Sequence, residues 1–270
     1  AMALGHTMVS GRVQAVMVHV GVGTANAICG LLNASRERLP LLLAAGRTPL
    51  LETGAEGARS RYIHWAQEMY DQAGLLREAV KWDFELRRPE QLETALERAF
   101  AIANSEPRGP VYLSLPREVL AAPAAAGTKG APGTDTALPA AVPPAADPAA
   151  IDAAAAIQAA AERPLIITAS AGRDPAAVEH LARLAERFAL PVVSFFPRQL
   201  CLPSDHPMHL GYEPGPLLAE ADAVLVLECD VPWIPSLQGP PQGARVIQLG
   251  VDPLFADYPL RGFPADLAIT

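Results

Sequence analysis

VQAVMVHVGVGTANAICGLLN, residues 13–33, is the stretch from which the rest of the chain can be read. An apolar run over residues 15–20 is interrupted by one histidine, His19. Gly21-Val22-Gly23 reads as a tight turn. From Thr24 onward the apolar positions Ala25, Ala27, Ile28, Leu31 and Leu32 follow helical spacing. The expectation is a buried strand over 15–19, a glycine turn and a helix over 24–36. Glycines let a ligand approach the backbone closely. A helix N-terminus adds unbonded N–H groups and the positive end of a dipole. Physics alone makes the turn a cofactor or anion site, with His19 before it and Asn26 after it.

Working outward, residues 41–45 and 111–115 read as further strands. Residues 89–104 read as a helix: Pro89 opens it, and Leu92, Ala95, Leu96, Ala99, Phe100 and Ala103 recur at helical spacing. Strands alternating with helices imply a parallel sheet covered on both faces. A polar loop, 47–62, follows the second strand, where ligands bind in open α/β sheets. Residues 121–150 are almost entirely Ala, Pro, Gly and Thr, which oppose both helix and sheet and mark an extended linker. Beyond it the alternation resumes. Helices are expected at 148–161, 175–189 and 216–220, and strands at 165–169, 191–194, 223–228, 245–249 and 266–270. The fold class is α/β: two parallel-sheet, three-layer α/β/α domains, 1–120 and 151–270, joined by an Ala/Pro-rich linker. The second domain is Rossmann-like in outline but lacks G-x-G-x-x-G after its first strand. The first residues read as the middle of a helix without a cap and the last as a strand without its helix. Both ends are therefore expected to be cuts through a longer protein.

Composition narrows the partners. Half of the 270 residues are hydrophobic, enough for two cores, and the net charge of −8 disfavours nucleic acid and anionic membrane surfaces. No apolar run approaches a membrane span. Cys29, Cys201 and Cys229 are far apart, odd in number and without zinc spacing. They read as buried free thiols of a reducing, cytoplasmic compartment.

The run from His19 through Gly21, Gly23 and Asn26 to Gly30-Leu31-Leu32-Asn33-Ala34 resembles the pyrimidine-binding domain of thiamine-diphosphate enzymes of the acetolactate synthase and benzoylformate decarboxylase type. The resemblance continues through residues 40–46, Val80-Lys81-Trp82, 101–104 and 109–116. The second block is similar to their central domain at 163–167, 190–193, 221–225 and 246–253. It implies that Gly21, Val22, Gly23, Thr24 and Asn26 touch the cofactor's aminopyrimidine ring. His19 then stands where the decarboxylases have a histidine acting in proton transfer. A neutral histidine bonded to a nearby carbonyl is the structural alternative. The substrate is a 2-oxo acid, and the cofactor lies at the interface of a homodimer or homotetramer. Magnesium is held with the diphosphate by a third domain, beyond Thr270. The glutamate that activates the cofactor lies before Ala1 in the family order. By itself this stretch is therefore expected to be inactive. No metal ligand is assigned within it. A non-catalytic nucleotide-binding or subunit-assembly α/β module is the competing reading.

Other residues leave alternatives open. Arg47 occupies a position where many relatives have glutamine. It would pair with a substrate carboxylate or with Glu52 or Glu56. Trp233 would wall a substrate pocket or pack at the surface. His64 and Glu68, four apart, read as a helix-surface pair rather than a metal site. His206 and His209 flank Pro207 without a third ligand. Flavin-containing relatives hold FAD in the central domain. Gly172, Arg173 and Asp252 lie where such contacts would fall, without a pattern that claims the flavin.

Overall fold

The computed structural model describes residues 1–123 and 138–270, in two compact units, Ala1–Pro143 and Pro144–Thr270. Residues 124–137 of the expected linker lie outside the described residues.

The first unit runs α1 (Met2–Ser10), β1 (Gln14–Val18), α2 (Val20–Arg36), β2 (Leu41–Arg47), α3 (Ile63–Ala66), β3 (Asp83–Glu85), α4 (Leu92–Asn104), β4 (Pro110–Pro116) and α5 (Arg117–Ala121). Its four strands are parallel in the order β1-β2-β4-β3. The step from β1 to β2 and the step from β3 to β4 run in opposite directions across the sheet. Right-handed crossovers therefore place α2 and α4 on opposite faces. Leu31 and Ala34 of α2 pack on Leu41, Leu43, Ala45 and Tyr112, and Ala95, Ala99 and Ala103 of α4 pack on Leu42, Ala44, Val111 and Leu113. β2 and β4 are buried on both faces, as continuous apolar runs in a parallel sheet should be.

Three readings of this unit change. β1 is a half-buried edge strand, not a buried one: Ala15 and Met17 point outward, Met17 with 73% exposure, because among the described residues β1 pairs only with β2. The helix starts at Val20, so Gly21-Val22-Gly23 is its first turn and not a loop. Cys29 is exposed, because its side of α2 carries Val22, Ala25 and Asn26 while Leu31 and Ala34 face the sheet.

One buried amide ties the unit together. The Gln72 side chain, 2% exposed, donates to the Gly46 carbonyl at the end of β2 (3.0 Å) and to the Tyr112 hydroxyl of β4 (2.8 Å), with a longer contact to Thr24 Oγ1 of α2 (3.5 Å). Thr24 in turn donates to the Val20 carbonyl (2.8 Å). Buried polar groups must be paired, so this hub fixes the start of α2 against the strand ends.

The second unit runs α6 (Pro148–Ala160), β5 (Pro164–Thr168), α7 (Pro175–Phe188), β6 (Val192–Ser194), α8 (Gly215–Leu218), β7 (Ala223–Leu227), β8 (Arg245–Leu249) and β9 (Leu267–Ile269). Both long helices start from an aspartate cap followed by proline: Asp147 accepts from the Ala149 N–H and Asp174 from the Ala176 N–H. The parallel order is β6-β5-β7-β8-β9, with the reversal between β5 and β7. Helices α6 and α7 share one face. Short α8, Trp233 and Phe263 cover the other, so that layer is mostly loop. Trp233 is therefore a core residue, 3% exposed and edge-on to Phe263 at 5.2 Å between ring centroids, and not a pocket wall or a surface residue.

Two measurements test this packing. Gln72→Ala strands the Tyr112 hydroxyl and the Gly46 carbonyl, and should lower unfolding stability in urea by about 2–4 kcal/mol; a loss below about 0.5 kcal/mol would remove the hub from the account. In the native protein one thiol, Cys29, should react with a thiol reagent at about pH 8. Cys201 is buried, and the Cys229 thiol is pushed up to about 12 by burial and then by Asp230, so both should react only on denaturation. Three fast-reacting thiols would contradict the burial.

Candidate functional site

In a parallel α/β sheet, ligands bind beyond the carboxyl ends of the strands. At that edge of the first unit stand His19 after β1, Arg47 closing β2, Glu85 closing β3 and Pro116 closing β4. His19 is exposed. It occupies the N-cap position of α2 without a capping side-chain bond, and the first turn holds no acidic residue. The amides of Val20, Gly21 and Val22 precede the first intrahelical bond, which runs from the Gly23 N–H to the His19 carbonyl (2.7 Å).

The backbone reverses at a single residue. Val20 has φ +34°, a left-handed value that β-branched residues rarely adopt. Such strain persists only where the surroundings over-determine it. Here the Thr24 hydroxyl bonds the Val20 carbonyl, and Val20 itself is 5% exposed. The glycines serve the same close packing. A Cβ at Gly21 would lie 2.6 Å from Met69 Sδ, and one at Gly23 would lie 3.0 Å from Val18 Cβ. Of the residues singled out in the sequence, Gly21 and Thr24 are buried and Gly23 is half-buried. Val22 and Asn26 are exposed, and at a spacing of four they share one face of α2, which begins directly after His19.

Beside them is a charge network. Arg47 Nη1 donates in a short hydrogen bond to Glu85, while its Nη2 lies 3.5 Å from Glu68 and bonds the Met69 carbonyl at 3.4 Å. Glu68 also pairs with Arg59 and accepts from the Thr48 hydroxyl (2.9 Å). Burial works against the Arg47 charge, but the hydrogen bond and field of Glu85, with Glu68 behind it, outweigh this and raise its pKa. The expected partners Glu52 and Glu56 are not the ones found: Arg47 pairs with Glu85 and Glu68 instead. Glu52 instead accepts from Trp65 Nε1 (3.3 Å). The cause is β3, a three-residue strand without an apolar run, which brings Glu85 to the sheet edge across β4 from Arg47. Gln72 has no signal in the sequence, and Glu68 reads there as a partner of His64 rather than of Arg47, since residues 62–88 carry no periodicity that would place them.

The remaining histidines form no site. Helix α3 ends at Ala66, so Glu68 is outside it and does not pair with His64. His64 accepts from the Ser60 N–H at 3.1 Å. Its pKa is lowered by burial and by Arg117, Arg61 and Arg59, which disfavours the protonated form. His209 meets the Ser194 hydroxyl (3.2 Å), and His206 accepts from the Met208 N–H (3.1 Å). Among the described residues no three potential metal ligands cluster.

In the second unit, the residues near the β5/β7 reversal that the resemblance places toward a flavin are engaged within the unit. A Cβ at Gly172 would overlap the Leu200 carbonyl. Arg173 is engaged by Glu228 (3.6 Å), and Asp252 accepts from the Ala256 N–H (3.1 Å). Beyond it, Asp230 receives Arg198 and the Tyr258 hydroxyl (2.6 Å). Burial opposes its ionisation, but these bonds prevail and hold its pKa low.

Residues 1–75 match the family description "Thiamine pyrophosphate enzyme, N-terminal TPP binding domain", and residues 151–266 match "Thiamine pyrophosphate enzyme, central domain". The chain is 31% identical to a probable 2-ketoarginine decarboxylase of Pseudomonas aeruginosa, over 99% of this chain and 46% of that protein. It is 29% identical to a probable acetolactate synthase large subunit of Methanocaldococcus jannaschii, over 84% of this chain and 37% of that protein. In structure it is similar to benzoylformate decarboxylase from Polynucleobacter necessarius, with a TM-score of 0.77 and 26% identity over 99% of this chain and 49% of that one. The chain thus spans less than half the length of these curated relatives. With both matches falling in the family's own order, and with two parallel-sheet α/β units beneath them, the chain belongs to the thiamine pyrophosphate enzyme family.

Proposed function

We propose that the polypeptide carrying this chain is a thiamine-diphosphate-dependent enzyme that decarboxylates a 2-oxo acid, with or without joining the product to a second carbonyl. The observation that carries this reading is the match of residues 1–75 to the family's N-terminal TPP-binding domain, because that stretch contains the exposed His19 and the α2 start. The relatives' names supply the chemistry: two are decarboxylases of 2-oxo acids and one is an acetolactate synthase.

In this reading residues 1–120 form the pyrimidine-binding domain, 121–150 the linker and 151–270 the central domain. The turn Gly21–Thr24 and Asn26 face the aminopyrimidine ring. Gly21, Gly23 and Thr24 set the shape of that surface through their contacts with Met69, Val18 and Val20. Val22 and Asn26 present side chains to it, being exposed on one face of α2. When bound, thiamine diphosphate supplies a thiazolium ring that accepts the electrons released as carbon dioxide leaves. His19 gives a proton to the reacting carbon or orients the substrate carboxylate; an exposed imidazole at a strand end can reach a ligand for either role. Magnesium accompanies the diphosphate in the family's third domain. The cofactor lies between subunits of a homodimer or homotetramer. The three cysteines are free, and no described helix is long and apolar enough to cross a membrane; both suit the cytoplasm.

The test is carbon dioxide release by the polypeptide that carries this chain, with thiamine diphosphate and magnesium, from aliphatic, aromatic and guanidino 2-oxo acids. At least one should be turned over, and turnover of none would overturn the reading. For the active substrate, His19→Ala should lower kcat by about 10²-fold or more while cofactor affinity stays within a few-fold. An unchanged kcat would remove His19 from the chemistry.

A further inference from the structure

The strand-end crevice of the second unit contains an anion of its own making. Glu228 follows β7 directly, on the central side of the reversal in strand order where such sheets bind nucleotides. Its backbone is left-handed, φ +47°, in a region where glycine is at ease and a glutamate is not. Its side chain is nonetheless drawn inward, only 15% exposed. One carboxylate oxygen accepts the Val251 N–H after β8 (2.6 Å) and presses on Gly250, where an added Cβ would lie 2.8 Å from it. The other oxygen lies 3.6 Å from the Arg173 guanidinium, which follows β5. The Glu228 carbonyl accepts the Ser170 N–H (3.0 Å), so the same residue binds the loop after β5 through its backbone.

The partners of this carboxylate are those a phosphate would use: a guanidinium and a backbone N–H, from loops following the strands on either side of β7. The crevice also keeps the marks of a polar site. The hydroxyls of Thr168 and Ser170, 0% and 2% exposed, have no hydrogen-bond partner among the described residues. The backbones of these two residues adjoin the end of β7, Thr168 in register with Leu227 and Ser170 bonded to the Glu228 carbonyl, so the strain and the unpaired hydroxyls belong to the same pair of strand ends.

We propose that the Glu228 carboxylate is a built-in anion that occupies this crevice in place of a phosphate-bearing nucleotide, so that the second unit excludes such ligands and Glu228→Gly opens a site for a diphosphate. The carboxylate excludes them twice over. It fills the space between Arg173 and Val251, and its charge repels a second anion there. Glycine at position 228 removes both obstacles and suits the left-handed backbone, so this variant is expected to fold.

The test is calorimetric titration of the 270-residue chain with ADP and with inorganic pyrophosphate. The wild type should bind neither more tightly than about 1 mM. Glu228→Gly should bind at least one of them about tenfold more tightly or better. Glu228→Gln, which removes the charge with little change in volume, should show a smaller gain. Micromolar binding of ADP or FAD to the wild type would overturn the proposal. So would a folded Glu228→Gly, verified by circular dichroism, that gains affinity for neither probe. If Glu228→Gly does not fold, the wild-type titration and Glu228→Gln decide the matter, and no gain in Glu228→Gln then counts against it.

Discussion

The side-chain amide of Gln72 is the interaction on which the first unit's site depends. It is buried, and it bonds groups from three elements: Thr24 on α2, Gly46 at the end of β2 and Tyr112 on β4. A buried amide that lost these partners would meet no water in compensation, so the three elements are held in one register. Thr24 passes the constraint to Val20, whose left-handed backbone turns the chain from β1 into α2 within one residue. His19, immediately before Val20, inherits its position from that turn. The site thus rests on a polar hub behind it rather than on contacts among the site residues themselves.

The two units treat the same architectural opportunity differently. Both are parallel sheets whose strand ends could receive a ligand. In the first, the start of α2 is left uncapped by any side chain and His19, Val22 and Asn26 are exposed. The nearby carboxylates Glu68 and Glu85 are consumed by Arg47 and Arg59. In the second, a carboxylate turns into the crevice and bonds the loops on either side of it. One edge leaves an imidazole, an amide and a helix start exposed, and at the other a carboxylate is engaged from within.

Much of this was legible in the sequence, for physical reasons that also explain the rest. β2 and β4 show as unbroken apolar runs because both their faces are covered. Helix α4 shows because its alanines recur at the period of its buried face. β3 was invisible: Asp83-Phe84-Glu85 is a short strand whose charged ends face partners rather than core. Without β3 the partner of Arg47 could not be named. The sequence puts the α2 start too late, at Thr24 rather than Val20, because glycine ordinarily punctuates a chain. Here it answers to Met69 and Val18, contacts that no local pattern reveals. Trp233 and Cys29 are illegible locally for a related reason: which side of an element faces the core is settled by neighbours distant in sequence.

The central claim is that the Val20 turn presents His19 and the outer face of α2 to the cofactor. The most direct measurement is a crystal structure of the polypeptide carrying this chain with thiamine diphosphate bound. The account predicts the aminopyrimidine ring against the start of α2, with the His19 imidazole and the Asn26 amide within about 4 Å of the bound cofactor or substrate. A cofactor ring seated away from α2, with His19 turned to bulk solvent, would contradict it.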